Sequence, residues 1–196
     1  MPTLVMMHGM TGTATMMRPF AEKILPEGWD LIVPEAQFEH PKRGFTWWRY
    51  EGGDNPNRRV LSSTELSDVD SSLLKLIELI PRDNVVLGGF SQGGAMAQEL
   101  LQFDIDVLGI IAMGTRVVRP LELRQRLQEI PKSKLLWMHG ETDHRVSLEA
   151  GLEIPQIFEE AEWNVEKIQH SKGHMIPVEF HNSIRNWLIN IYKFSN

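Results

Sequence analysis

Along the chain, short apolar runs alternate with stretches of helical periodicity, the pattern of a mostly parallel sheet buried on both faces by helices. Runs at 4–7, 29–33, 84–90, 107–113, 135–139 and 165–169 read as six strands; most are rich in β-branched residues and all are bounded by turn formers or charges. Leu66, Val69, Leu73, Leu76, Ile77 and Ile80 recur at helical spacing and predict a helix over 63–80. Ser62 with Glu65 forms its capping box, and Pro81 stops it. Further helices are expected over 94–102, 121–130 and 177–192, the last with Pro177 in its first turn. Pro155 interrupts the pattern over 147–161 and predicts a kink or a boundary between two short helices. Residues 34–60 follow no period and hold Phe38, Phe45, Trp47, Trp48 and Tyr50 among Gly, Pro and Asn. Long structureless loops in compact domains are usually functional, so this one is expected to overhang a site.

A chain of 196 residues with 42% hydrophobic content suits one domain over 1–196. Its net charge of -6 argues against a nucleic-acid partner, which would require clustered Lys and Arg. The absence of cysteine excludes disulfides, thiolate metal sites and a Cys nucleophile. The opening Met1 to Gly9 has no basic leader and too short an apolar run for a signal peptide or a membrane span, so a cytoplasmic address is expected.

The densest chemistry lies where the third strand ends. Gly89-Phe90-Ser91-Gln92-Gly93 matches G-x-S-x-G in the required context of strand, sharp turn and helix. Such a turn forces the serine into an unfavourable conformation and needs flanking residues without Cβ atoms. In return the Ser91 hydroxyl stands at the carboxyl end of the sheet, against a helix N-terminus that favours negative charge. A serine nucleophile needs a base and an orienting acid, which follow such an elbow in the order acid, then histidine. Asp143, in the loop after the strand at 135–139, is the candidate acid, with Glu141 its rival. His174, after Gly173 in the loop behind the last strand, is the candidate base; His170 lies nearer the strand and is expected to pack beside it. Backbone N–H groups of Met10 and Gln92 would hold the oxyanion. His8 reads either as a catalytic residue or, preferably, as a brace for that loop. No metal or organic cofactor is expected, since the histidines lack an acidic pair at ligand spacing.

His8-Gly9-Met10, the run from Gly89 to Ala97, the run from His139 to Val146, and Gly173-His174 together resemble the phospholipase/carboxylesterase family of α/β-hydrolases. That family includes small bacterial carboxylesterases and acyl-protein thioesterases. The resemblance spans nearly the whole chain. It implies a minimal α/β-hydrolase fold, a triad of Ser91, Asp143 and His174 with Met10 and Gln92 as backbone donors, and an ester, thioester or lysophospholipid substrate. The chain departs from the family at Met10-Thr11-Gly12-Thr13, where a Gly-Asp pair is usual, and at Met113-Gly114-Thr115-Arg116, where a Ser-Gly turn borders the acyl pocket. It also begins at the strand carrying the oxyanion loop, so the usual preceding antiparallel strands are not expected.

Phe45, Trp47, Trp48 and Met113 are candidate walls of the substrate pocket, although the aromatics would equally serve to pin their loop onto the core. Arg49, Arg58 and Arg59 flank them and either receive an anionic leaving group or are solvated loop charges. A catalytically silent binding protein on the same fold is the alternative function. The oligomeric state stays open, a homodimer included.

Overall fold

The structure, a computed structural model, describes residues 1–51 and 60–193. The strands β1 (Thr3–Met7), β2 (Asp30–Ile32), β5 (Val85–Phe90), β6 (Val107–Met113), β7 (Lys134–Gly140) and β8 (Asn164–His170) form one sheet in the order β2-β1-β5-β6-β7-β8. Every pairing in it is parallel, as the unbroken apolar runs require. It is the six-strand parallel sheet of the α/β-hydrolase fold. Two-strand elements β3 (Phe38–Glu39) and β4 (Phe45–Thr46) pair antiparallel in a separate ribbon.

Alternation along the strands sends side chains to two cores. Val5, Met7, Leu87, Ile110, Ala112 and Trp137 face a layer that includes α2 (Ser63–Leu79), α3 (Gln92–Glu99), α4 (Pro120–Glu129) and α5 (Leu148–Glu160). Leu4, Met6, Val86, Ile111, Met113 and Met138 face α1 (Ala14–Ile24) and α6 (His181–Lys193). The capping box at Ser62 is formed, with Glu65 Oε2 accepting from the Ser62 N–H at 2.9 Å. Among the described residues no helix is long and apolar enough to cross a membrane.

Three local expectations change. Helix α1 has no counterpart in the periodicity reading, because Pro19 lies inside it and its buried face is only Met17, Ala21 and Ile24. Pro155 does not split 147–161 into two helices: α5 runs through it as one helix, held by buried Ile154, Ile157 and Phe158. Burying such side chains is worth roughly 1.5–3 kcal/mol each, enough together to outweigh the ~3 kcal/mol cost of an interior proline. At the C-terminal side, Pro177 precedes a single 3₁₀ turn at Val178–Phe180, and the α-helix starts only at His181.

Because all six strands run the same way, the loops after β1, β5, β7 and β8 emerge at one rim. Those loops carry Met10, Ser91, Asp143 and His174 respectively.

Candidate active site

At the end of β5 the chain turns into α3 through Ser91, whose φ of 55° and ψ of -120° place a non-glycine residue in a sparsely populated region. The strain persists because the surroundings fix it. Ser91 N–H donates to Met113 O at 2.9 Å, and the first turn of α3 closes with Ala95 N–H on Ser91 O at 3.2 Å. The two glycines flanking the turn are needed for space: a Cβ on Gly89 would lie 2.2 Å from Gly93 C, and one on Gly93 would lie 2.2 Å from Met7 O. The result is a half-buried hydroxyl at the head of a helix whose first N–H belongs to Gln92.

Across the rim, the loop after β7 holds Asp143 with its side chain buried, and Asp143 Oδ2 accepts from His174 Nδ1 at 2.7 Å. The other oxygen, Oδ1, accepts from the Arg145 N–H at 2.8 Å and the Val146 N–H at 2.9 Å. Burial pushes the Asp143 carboxyl up, but the hydrogen bond from His174 and those from the loop N–H groups outweigh it and hold the acid below its ordinary value. An ionised Asp143 fixes the proton of His174 on Nδ1 and leaves Nε2 as a free acceptor. The His174 ring packs on Phe90 with centroids 4.6 Å apart, which brings it beside the strand end that carries Ser91. Ser91 and His174 line the same cavity, of about 830 Å³, as do Met10 and Gln92. Among the described residues the Ser91 hydroxyl and the His174 ring are not hydrogen-bonded to each other; such contacts commonly close only in the complex with substrate.

The rival residues stand elsewhere. Glu141 is exposed and accepts from Gln169 Nε2 at 3.0 Å. His170 is buried, takes the Lys172 N–H on Nδ1 at 3.3 Å and packs on Phe180, away from the cavity lining. His8 donates from Nδ1 to Gly9 O at 2.8 Å and accepts the Ala36 N–H on Nε2 at 3.1 Å, ring geometry that braces the Met10 loop. Glu35 Oε1, 3.0 Å from His8 Nε2, favours the charged ring, but burial outweighs it and keeps His8 below its usual value.

The loop over 34–51 is docked by Gln92. Its Oε1 accepts from the Trp47 N–H at 3.0 Å, its Nε2 donates to Trp48 O at 3.2 Å, and the Thr46 hydroxyl lies 2.8 Å from the same Oε1. The residue after the serine thus ties the aromatic loop to the elbow, a side-chain role invisible in the G-x-S-x-G pattern. Of the four candidate pocket walls, only Trp48 lines the cavity. Trp47 is 1% exposed, donating from Nε1 to His8 O at 2.8 Å, and so pins the loop onto the core. Phe45 pairs with the Met10 loop, donating its N–H to Gly12 O and accepting from the Thr11 N–H, both at 2.9 Å. Met113 is fully buried, because the alternation of β6 turns it inward toward the α1 and α6 layer. The apolar wall comes instead from Met16, Met17 and Phe20 of the unanticipated helix α1, with Phe90 and Ile176. Arg49 is committed to Asp68 through two side-chain bonds of 2.9 and 2.8 Å, and Arg58 and Arg59 lie outside the described residues.

Buried His8, His139 and His170, with half-buried His181, make stability pH-dependent. Burial holds His8, His139, His170 and His181 below the ordinary 6.5, so the unfolded chain takes up their protons first as the pH falls. Their contribution is intact above about pH 6.5 and is lost on acidification below it. Glu99, pushed up by burial against the pull of Arg119, acts in the opposite direction. The urea midpoint is expected to fall between about pH 7.5 and about pH 5.5; a midpoint that stays level or rises would show that these rings titrate alike in both states.

Comparison with known proteins places the chain. A probable carboxylesterase of Oryza sativa subsp. japonica is 30% identical over 146 residues, covering 64% of this chain and 53% of the relative. Acyl-protein thioesterase 1 of Neurospora crassa is 31% identical over 114 residues, covering 56% of this chain and 46% of the relative. The matched region thus spans about half the length of these relatives. Among solved structures, Zea mays acyl-protein thioesterase 2 superimposes with a TM-score of 0.75 at 21% identity, over 97% of this chain and 93% of that one. The Bacillus cereus carboxylesterase does so with a TM-score of 0.74 at 17% identity, over 97% and 88%. Identities this low speak to the fold alone. The phospholipase/carboxylesterase profile, however, matches residues 1–191, and with that coverage the chain belongs to the phospholipase/carboxylesterase family of α/β-hydrolases.

Proposed function

We propose that the protein is a serine hydrolase of carboxylic esters, thioesters included, working through an acyl-enzyme on Ser91. The observation that carries this reading is the 2.7 Å hydrogen bond between His174 Nδ1 and buried Asp143 Oδ2, in a cavity that the strained Ser91 also lines. Ser91 Oγ attacks the carbonyl carbon while His174 Nε2 takes its proton. Asp143 stays ionised, keeps the ring in the required tautomer and stabilises the imidazolium. The N–H groups of Met10 and Gln92 donate to the oxyanion, the second with the help of the α3 N-terminus. As the tetrahedral species collapses, His174 returns the proton to the leaving oxygen or sulfur. Water then repeats the sequence on the acyl-enzyme.

The braced surroundings support this reading, because an oxyanion donor contributes most when it does not have to reorganise. His8 bonds the Met10 loop at Gly9 and Phe45 bonds it at Thr11 and Gly12, and the Gln92 side chain is engaged by the docked loop. Hydrolysis of p-nitrophenyl esters from acetate upward tests the proposal. Turnover saturating with substrate is expected for at least the shorter chains. A rate no higher than the buffer blank for every ester in the series would reject it.

A further inference from the structure

His139 is the penultimate residue of β7, and its ring is fully buried four residues before Asp143, yet no step of the hydrolysis proposed above uses it. A buried imidazole has two nitrogens to satisfy. Nε2 lies 2.9 Å from Val146 O, and since a carbonyl only accepts, Nε2 carries the proton. Nδ1 has no hydrogen-bond partner among the described residues. Helix α5 passes so near that a Cβ on Gly151 would lie 2.5 Å from Nδ1, which closes that side of the ring. Burial holds the imidazole below its ordinary value, against the pull of the Val146 carbonyl and the Asp143 charge. Trp137, two residues earlier on the strand, stacks on the ring with centroids 5.6 Å apart and planes 13° apart. His139 is thus a neutral ring with a single N–H held in one direction.

That N–H ends on the residue that holds the acid. Val146 is bonded twice: its carbonyl accepts from His139 Nε2, and its N–H donates to Asp143 Oδ1 at 2.9 Å. The Asp143 N–H in turn donates to Gly140 O at 3.2 Å, so the loop from 140 to 146 is closed around the carboxylate. Because a carboxylate is planar and rigid, fixing Oδ1 sets where Oδ2 points, and Oδ2 is the oxygen 2.7 Å from His174 Nδ1. His139 Nε2 stands 3.7 Å from that oxygen, too far for a hydrogen bond, so its hold on Asp143 runs through Val146. Its neutrality leaves the whole Asp143 charge to the imidazolium that forms on His174.

Resting on the hydrolase reading above, we propose that His139 is a positioning residue for the triad: its Nε2–H, by holding Val146, keeps the Asp143 carboxylate aimed at His174 Nδ1.

Two substitutions separate this role from packing. His139→Gln puts an amide N–H near the place of Nε2, whereas His139→Phe keeps a buried ring and removes the donor. The ring 15N shifts of His174, identified by their loss in His174→Ala, report which nitrogen carries the proton, with no substrate present. At a pH where the ring is neutral, the native protein and His139→Gln are expected to show the Nδ1–H tautomer alone. His139→Phe is expected to show both tautomers. In that variant kcat for p-nitrophenyl butyrate should fall by about 10- to 100-fold with KM within about twofold, and His139→Gln should recover most of the loss. Should circular dichroism show that the phenyl ring prevents folding, His139→Asn, whose amide replaces Nδ1 and stops short of Val146, takes its place in the comparison. The proposal is overturned if His174 keeps the Nδ1–H form alone in the folded variant lacking the donor, or if His139→Gln fares no better than that variant. If no ester is turned over by the native protein, the hydrolytic reading falls by itself, and the tautomer comparison still decides this one.

Discussion

Replacing His174 with alanine is expected to lower kcat for ester hydrolysis by about 10⁴-fold or more, while His170→Ala lowers it by less than about tenfold. His170 ends β8, and His174 lies four residues further on, in the stretch before α6. Only His174 reaches Asp143 by a hydrogen bond and lines the cavity. His170 is enclosed beside Phe180, with its Nδ1 occupied by the Lys172 N–H. On the proposed mechanism, removing His174 deletes the proton acceptor for Ser91, and it leaves the Asp143 carboxylate without its imidazole partner. Removing His170 takes away packing under the loop, a matter of stability first. Steady-state kinetics on one p-nitrophenyl ester, with circular dichroism confirming the fold of each variant, makes the comparison. Equal losses in the two variants would show that the base has been misassigned.

The second large effect belongs to the turn. In Gly93→Ala the new Cβ would lie 2.2 Å from Met7 O and 2.6 Å from both His8 O and Met7 C, all backbone atoms of the neighbouring strand and its exit. No rotamer can relieve such a clash, so α3 must shift away from β1, and the Met10 and Gln92 donors separate as it does. A stability loss of about 3 kcal/mol or more is expected, visible as a lower urea midpoint. Gly28→Ala gives the contrast. Gly28 has a φ of +80° but nothing near its Cβ position, so it carries only the roughly 1 kcal/mol conformational penalty of a left-handed residue. If the two variants melt alike, close approach is not what the elbow glycines provide.

The parallel sheet was legible because strands buried on both faces must be apolar without interruption, as at Val85 to Leu87 and Ile110 to Ala112. The chain order of Ser91, Asp143 and His174 was legible because each follows a strand that ends at the same rim. What stayed hidden depends on distant contacts. Helix α1 buries only a narrow stripe and contains Pro19, so its periodicity is faint, yet it supplies the apolar cavity wall. The inward turn of Met113 follows from strand phase, which its neighbours at Gly114 and Thr115 do not reveal. Trp47 and Trp48 are adjacent and alike in composition. One is locked under His8 and the other reaches the cavity, a division set by the hydrogen bonds of Gln92 and His8.

Covalent capture tests the central proposal most directly. The folded protein is treated with a fluorophosphonate and digested, and the modified peptide is sequenced by mass spectrometry. A Ser91 hydroxyl activated by His174 should take up one adduct per chain, on the peptide containing Ser91, and uptake should vanish when the protein is unfolded in urea before treatment. No adduct on the folded chain, or an adduct on a different serine, would contradict a nucleophile at Ser91.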